Sequence, residues 1–131
     1  MNFTVTYDNH TVSARVRECI DLVARTLSFD LAANVHIIFN EAVANAIAAN
    51  ERAGETEITV SWFQCQDTVR LEIEDRGGGF EYQHYLPRPM PAPDATHGRG
   101  IPMMKRLCTE LVYLTTEKGV RLYAIWRMES G

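Results

Sequence analysis

The chain predicts a two-layer α/β sandwich, with helices on one face of a mixed sheet, as a single domain over residues 1–131. Three observations lead there. Two long segments carry apolar residues at three- and four-residue intervals, the period of an amphipathic helix. Five short runs alternate apolar and polar, the period of a half-buried strand. Their order is strand, two helices, two strands, a loop, a helix and two strands, with no repeat and no composition shift to mark a boundary.

Residues 3–7 alternate and end at Asp8-Asn9, a turn pair, so they read as a strand. Val12, Val16, Cys19, Ile20, Val23 and Leu27 then share one face of a helix of about five turns. Ser28-Phe29-Asp30 interrupts the pattern, and Asp30 is expected to cap a second helix over residues 31–51. That helix has Val35, Ile38, Phe39, Ala42, Val43, Ala46 and Ile47 on one side, and its alanines allow close packing on a sheet. After Ala53-Gly54, Ile58, Val60 and Trp62 form one apolar face, and Val69, Leu71 and Ile73 another. Arg70, Glu72 and Glu74 turn outward, and residues 64–67 join the two runs as an antiparallel hairpin.

Residues 81–97 have neither period and carry Pro87, Pro89, Pro91 and Pro93 at every second position. Such a run is extended and pairs poorly in a sheet, and its length inside a domain marks a functional or disordered loop. A helix resumes after Gly100, with Pro102 in its first turn, where a missing N–H costs little. Residues 111–116 and 120–126 form a second hairpin across Glu117-Lys118-Gly119.

Composition narrows the function. Hydrophobic residues at 46% and charged residues at 23% exclude a disordered or fibrous chain. A net charge of −4 makes non-specific nucleic-acid binding a poor expectation, because that binding needs Lys and Arg against phosphates. No unbroken apolar run approaches the roughly 20 residues that cross a bilayer. Residues 1–10 lack a basic segment leading into an apolar one, so no secretory signal is expected. Cys19, Cys65 and Cys108 are far apart and odd in number, which argues against thiolate metal sites or a disulfide framework. Reduced cysteines and a cytoplasmic location are expected. The four histidines show no ligand spacing.

Four segments carry candidate chemistry. In Asn40-Glu41-Ala-Val-Ala-Asn45-Ala46, Glu41 and Asn45 lie four apart on one helix face, at the border of the apolar stripe. An amide oxygen there suits magnesium, which shares hard oxygen ligands with nucleotide phosphates, and a neighbouring carboxylate can accept a hydroxyl proton. In Asp75-Arg-Gly77-Gly-Gly79-Phe80, a carboxylate at a strand end can accept from an exocyclic amine such as that of adenine. Gly77 and Gly79 clear side chains where a flat base must approach backbone. In His97-Gly98-Arg99-Gly100-Ile101, glycines open a helix whose free N–H groups suit phosphate. The fourth is the closing Lys118-Gly119 turn. Each segment alone is also compatible with an ordinary helix surface or turn.

In this order, Glu-x-x-x-Asn-Ala, Asp-x-Gly-x-Gly-Phe and Gly-Arg-Gly-Ile resemble the N, G1 and G2 boxes of the GHKL (Bergerat-fold) ATPase superfamily, which includes gyrase and the histidine kinases. The resemblance covers nearly the whole chain. The small size, the N-terminal strand and helix, and Lys-Arg-Leu-Cys-Thr-Glu-Leu at residues 105–111 are most similar to the anti-sigma-factor serine/threonine kinases. The resemblance implies that Asn45 holds Mg2+, that Glu41 is the catalytic base, and that Asp75 binds the adenine amine. It implies that Gly77 and Gly79 line the base pocket, that residues 81–97 form a lid, and that Gly98, Arg99, Gly100 and Ile101 meet the ATP phosphates. It further implies a homodimer that sequesters a sigma factor and phosphorylates a STAS-type anti-anti-sigma factor. Neither nucleic acid nor membrane is an implied partner.

Two positions depart from the family pattern. Ala49 stands where a His or other polar residue is common, and Gly119-Val120 where many members have Gly-Thr. These departures favour a second reading, a partner-binding switch of the same fold that transfers little or no phosphate. Retention of Glu41 favours the kinase. A histidine kinase catalytic domain is a third reading, but no dimerisation helix pair with a phosphoacceptor His precedes the domain.

Overall fold

The computed structural model describes residues 1–77 and 100–128. Strand β1 (Asn2–Asp8) leads into helices α1 (Val12–Ala24) and α2 (Phe29–Ala53). Strands β2 (Glu57–Gln64) and β3 (Thr68–Glu74) follow, then α3 (Gly100–Arg106), β4 (Glu110–Thr115) and β5 (Val120–Arg127). The two-layer sandwich holds: the strands form one sheet, β1-β2-β3-β5-β4, with the helices against one face. All four pairings are antiparallel, where a mixed sheet was expected. The reason lies in the second half of the chain. β4 does run parallel to β3, but β5 inserts between them, so the two never pair.

Local chemistry sets the helix ends. Thr26 donates to the Val23 carbonyl through both its backbone N–H (2.9 Å) and its hydroxyl (2.7 Å). That closes α1 at Ala24, earlier than its apolar period suggests. Ser28, not Asp30, caps α2: its backbone is extended and its Oγ accepts from the Leu31 N–H at 3.2 Å. Asp30 lies in the first turn instead, where a negative charge complements the helix dipole. α2 is long and apolar enough by composition to cross a membrane, but its apolar stripe, Val35 to Ala49, packs into the core.

The register aligns the core into rows. Val5, Val60, Ile73, Leu122 and Tyr113 lie side by side across all five strands on the helix-facing side. On the opposite face Glu72 and Glu74 are only 7% and 4% exposed. Arg70 meets Glu72 at 2.8 Å, and Arg121 reaches Glu72 at 3.6 Å and Glu74 at 3.2 Å. The expected outward turn of these side chains is correct, yet cross-strand pairing hides their carboxylates from solvent.

One polar residue sits inside the apolar phase of α2. Asn50 is 0% exposed. Its Nδ2 donates to Asn9 Oδ1 (3.0 Å) and the Glu57 carbonyl (2.9 Å), and its Oδ1 accepts from the Arg76 N–H (2.7 Å). It therefore ties the end of α2 to the turn after β1, the start of β2 and the exit from β3. Asn50→Ala should lower stability by about 2–4 kcal/mol, since three part-buried bonds are lost at once. Urea denaturation of the purified variant measures this directly.

Candidate functional site

The site grows from one line of α2. Glu41, Asn45 and Ala49 follow one another at four-residue spacing, so their side chains rise from the same face. Glu41 and Asn45 are half-buried, and Ala49 is buried. Ala49 meets the chain leaving β3. A Cβ on Gly77 would lie 2.5 Å from the Ala49 carbonyl oxygen and 2.7 Å from the Ala49 Cβ. Sequence reasoning assigned Gly77 to making room for a base. The neighbour that forbids a side chain there is α2 itself.

Asp75 is the next piece. Its backbone N–H donates to the Val120 carbonyl at 3.0 Å. Its Oδ1 accepts from the N–H groups of Gly77 (2.9 Å) and Val120 (3.3 Å). Gly119 closes over it: a Cβ there would run into the Asp75 carbonyl oxygen and stand 2.8 Å from Oδ1. At position 120, then, the backbone N–H is the group that touches Asp75, and a valine supplies it as well as a threonine would. Asp75 is 5% exposed. Burial pushes its pKa above the usual carboxylate value, against the two backbone donors that pull it down.

Tyr113 joins these elements. It projects from β4 at the end of the apolar row and is 8% exposed. The charges of Asp75 and Glu41 both act on it. Burial, reinforced by those two carboxylates, raises its pKa, so the phenol stays protonated. Side chains from α2, β3 and β4 are thereby brought within electrostatic reach of one hydroxyl.

α3 begins at Gly100 and anchors through Ile101 and Met104, both buried in the core. The Ile101 side chain belongs to that core, so it fixes the start of α3 and does not offer itself to a phosphate. Gly79, Gly98, Arg99 and the lid expected at residues 81–97 lie outside the described residues.

A divalent cation would find hard oxygen donors at Asn45 and Glu41. Among the described residues no group of three or more His, Cys, Asp or Glu could hold a metal alone. Such a donor set suits Mg2+, which takes one or two protein oxygens and completes its shell with phosphates and water.

Fold and motif geometry together define an ATP-binding α/β domain of the GHKL type. Residues 5–126 match the model of the histidine kinase-like ATPase domain, and the chain belongs to that family. A comparison with curated proteins finds no match.

Sequence reasoning missed two residues that shape the site. Asn50 was detectable as an amide within the apolar phase of α2. Tyr113 was detectable as an aromatic residue with a polar tip on the inward phase of its strand. The backbone N–H of Val120 had no sequence signal at all.

The raised pKa of Asp75 has a definite sign. The folded state binds its proton more tightly than the unfolded state, so this group favours folding most below the unfolded value near 3.8. That contribution is lost as pH rises through the folded pKa. Asp75→Asn keeps an oxygen for both backbone donors and removes the buried charge. In urea denaturation the variant should be at least as stable as wild type at pH 7, with its advantage shrinking as pH falls towards 4.

Proposed function

We propose that the protein is an ATP-dependent serine/threonine kinase of the anti-sigma-factor type. It binds Mg-ATP and sequesters a sigma factor or equivalent transcription partner. It phosphorylates a STAS-type antagonist, and acts as a homodimer in the cytoplasm. The observation that carries this reading is the contact of Ala49, in line with Glu41 and Asn45 on α2, with Gly77, whose N–H bonds the Asp75 carboxylate, so that the first two motif segments lie against each other.

Each side chain has a task that its chemistry supports. Asp75 accepts from the adenine amine, with Gly77 and Gly119 letting its backbone lie close to α2 and β5. Asn45 presents an amide oxygen to Mg2+, which when bound offsets the charge of the phosphates. Glu41, one turn before Asn45, takes the proton of the substrate hydroxyl as that oxygen forms its bond to the γ-phosphorus. The bond from the γ-phosphorus to the bridging oxygen breaks, and ADP leaves with the electron pair.

One observation favours the second reading, a switch that binds partners and transfers little phosphate. Ala49 is buried against Gly77, so the residue next along the line from Glu41 and Asn45 contributes no polar group. Incubation with labelled ATP, magnesium and a STAS-domain protein separates the two. On the kinase reading label passes to the antagonist, and Glu41→Gln cuts transfer by roughly 100-fold while nearly keeping ATP affinity. Binding of ATP and partner without transfer leaves the switch.

Base choice is a separate expectation. Guanine sets a carbonyl where adenine sets its amine, leaving two acceptors opposed at Asp75. Calorimetry should show ATP preferred over GTP by roughly 5- to 150-fold, the worth of one buried mismatched pair, and Asp75→Ala should lose most of that preference.

A further inference from the structure

We infer that Asn50 is a positioning residue for base recognition: its buried amide oxygen accepts from the Arg76 N–H and thereby fixes the aim of the neighbouring Asp75 carboxylate. This rests on the proposed role of Asp75 as acceptor for the adenine amine and adds a side chain from another element to it.

A carboxylate selects between an amine and a carbonyl only if its direction is set before either arrives. Two N–H groups bond Asp75 Oδ1, and they differ in how they are themselves held. Val120 is the first residue of β5 and pairs with Thr115, so the sheet fixes its N–H. Gly77 lies past Glu74, the last residue of β3, where the ladder no longer holds the chain. Ala49 stands against Gly77 as a wall, which limits approach without directing an N–H. Between Asp75 and Gly77 is Arg76, and its N–H donates to Asn50 Oδ1 at 2.7 Å. That bond turns the peptide plane on which the Gly77 donor depends.

The Asn50 amide serves as a fixed point because its two ends cannot exchange. Its Nδ2 donates to Asn9 Oδ1 at 3.0 Å and to the Glu57 carbonyl at 2.9 Å. A backbone carbonyl only accepts and a backbone N–H only donates. A half-turn of the amide would therefore oppose like groups at both ends. Asn9 is set in the same way, since its own Nδ2 donates to the Glu55 carbonyl at 3.0 Å. Asn50 is 0% exposed, so water does not replace these bonds. The Arg76 guanidinium also meets Glu57 Oε2 at 2.8 Å, but that pair is partly open to solvent and contributes little by itself. The aim of Asp75 is thus set from the end of α2 by a side chain that need not touch the base.

Calorimetry with ATP and GTP tests this. Asn50→Ala should shrink the preference for ATP by roughly 5- to 10-fold, the worth of one well-aimed hydrogen bond. A variant that is partly unfolded, or whose α2 has turned, binds both nucleotides more weakly, and that loss cancels in the ratio. Asn50→Asp is the conservative variant. One carboxyl oxygen still accepts from the Arg76 N–H, so the preference should return although the donor bonds to Asn9 and Glu57 suffer. An unchanged preference in Asn50→Ala, beside an Asp75→Ala that loses it, would sink this inference alone. A wild type without preference, or an Asp75→Ala that keeps it, removes the base reading and the positioning role together.

The wild-type protein supplies a readout that needs neither nucleotide nor variant. Arg76 lies beyond the strand, yet its amide should exchange with deuterium about as slowly as those inside β3. Exchange at the rate of an open turn would mean that the Asn50 bond does not hold the peptide. That result overturns the inference even if Asn50→Ala fails to fold.

Discussion

The chain leaving β3 passes through a gap between the end of α2 and the start of β5 that is too narrow for side chains, and the rest of the site depends on that gap. Gly77 lies against the Ala49 carbonyl on one side, and Gly119 lies against Asp75 on the other. Cβ atoms at these two glycines would collide with backbone, which cannot yield as a flexible side chain can. The consequence is that three motif segments, far apart in the chain, are held together by main-chain contact. Asp75 is left in the middle, bound on both sides by N–H groups of its neighbours.

That position creates a conflict of energies. Removing an ionised carboxylate from water costs several kcal/mol even after the protein relaxes. Two backbone donors return about 1.5–3 kcal/mol each. The raised pKa shows that burial outweighs them. A carboxylate so placed is under-satisfied, and another donor arriving from a ligand would find it already desolvated and fixed in direction. On the proposed reading the adenine amine is that donor, and the preference for it is built in before any ligand arrives.

Periodicity made most of the fold legible. The buried faces of α1, α2 and all five strands follow from apolar spacing, and both hairpins from their turn residues. What escaped was decided by contacts between distant residues. The cap of α2 moved from Asp30 to Ser28 because the extended backbone at Ser28 lets its hydroxyl reach the Leu31 N–H. The sheet became fully antiparallel because β5 entered between β3 and β4, an order that alternation within each strand cannot encode. In the site, the motif spacing gave Glu41, Asn45 and Asp75 together. It misjudged what crowds Gly77, and it passed over Tyr113, whose neighbours come from two other elements.

One missed polar residue, Asn50, sets the aim of α2. Asn50 bonds three separate segments at the end of the helix, and its bonds fix how far α2 is rotated about its own axis. Rotation is what aims Glu41 and Asn45, because a turn of one residue sweeps a side chain through about 100°. A site built on a regular helix, locked at one end, holds its donors more closely than loops can. Ala49 faces Gly77 and serves packing, so an alanine there leaves the aim of Glu41 and Asn45 intact.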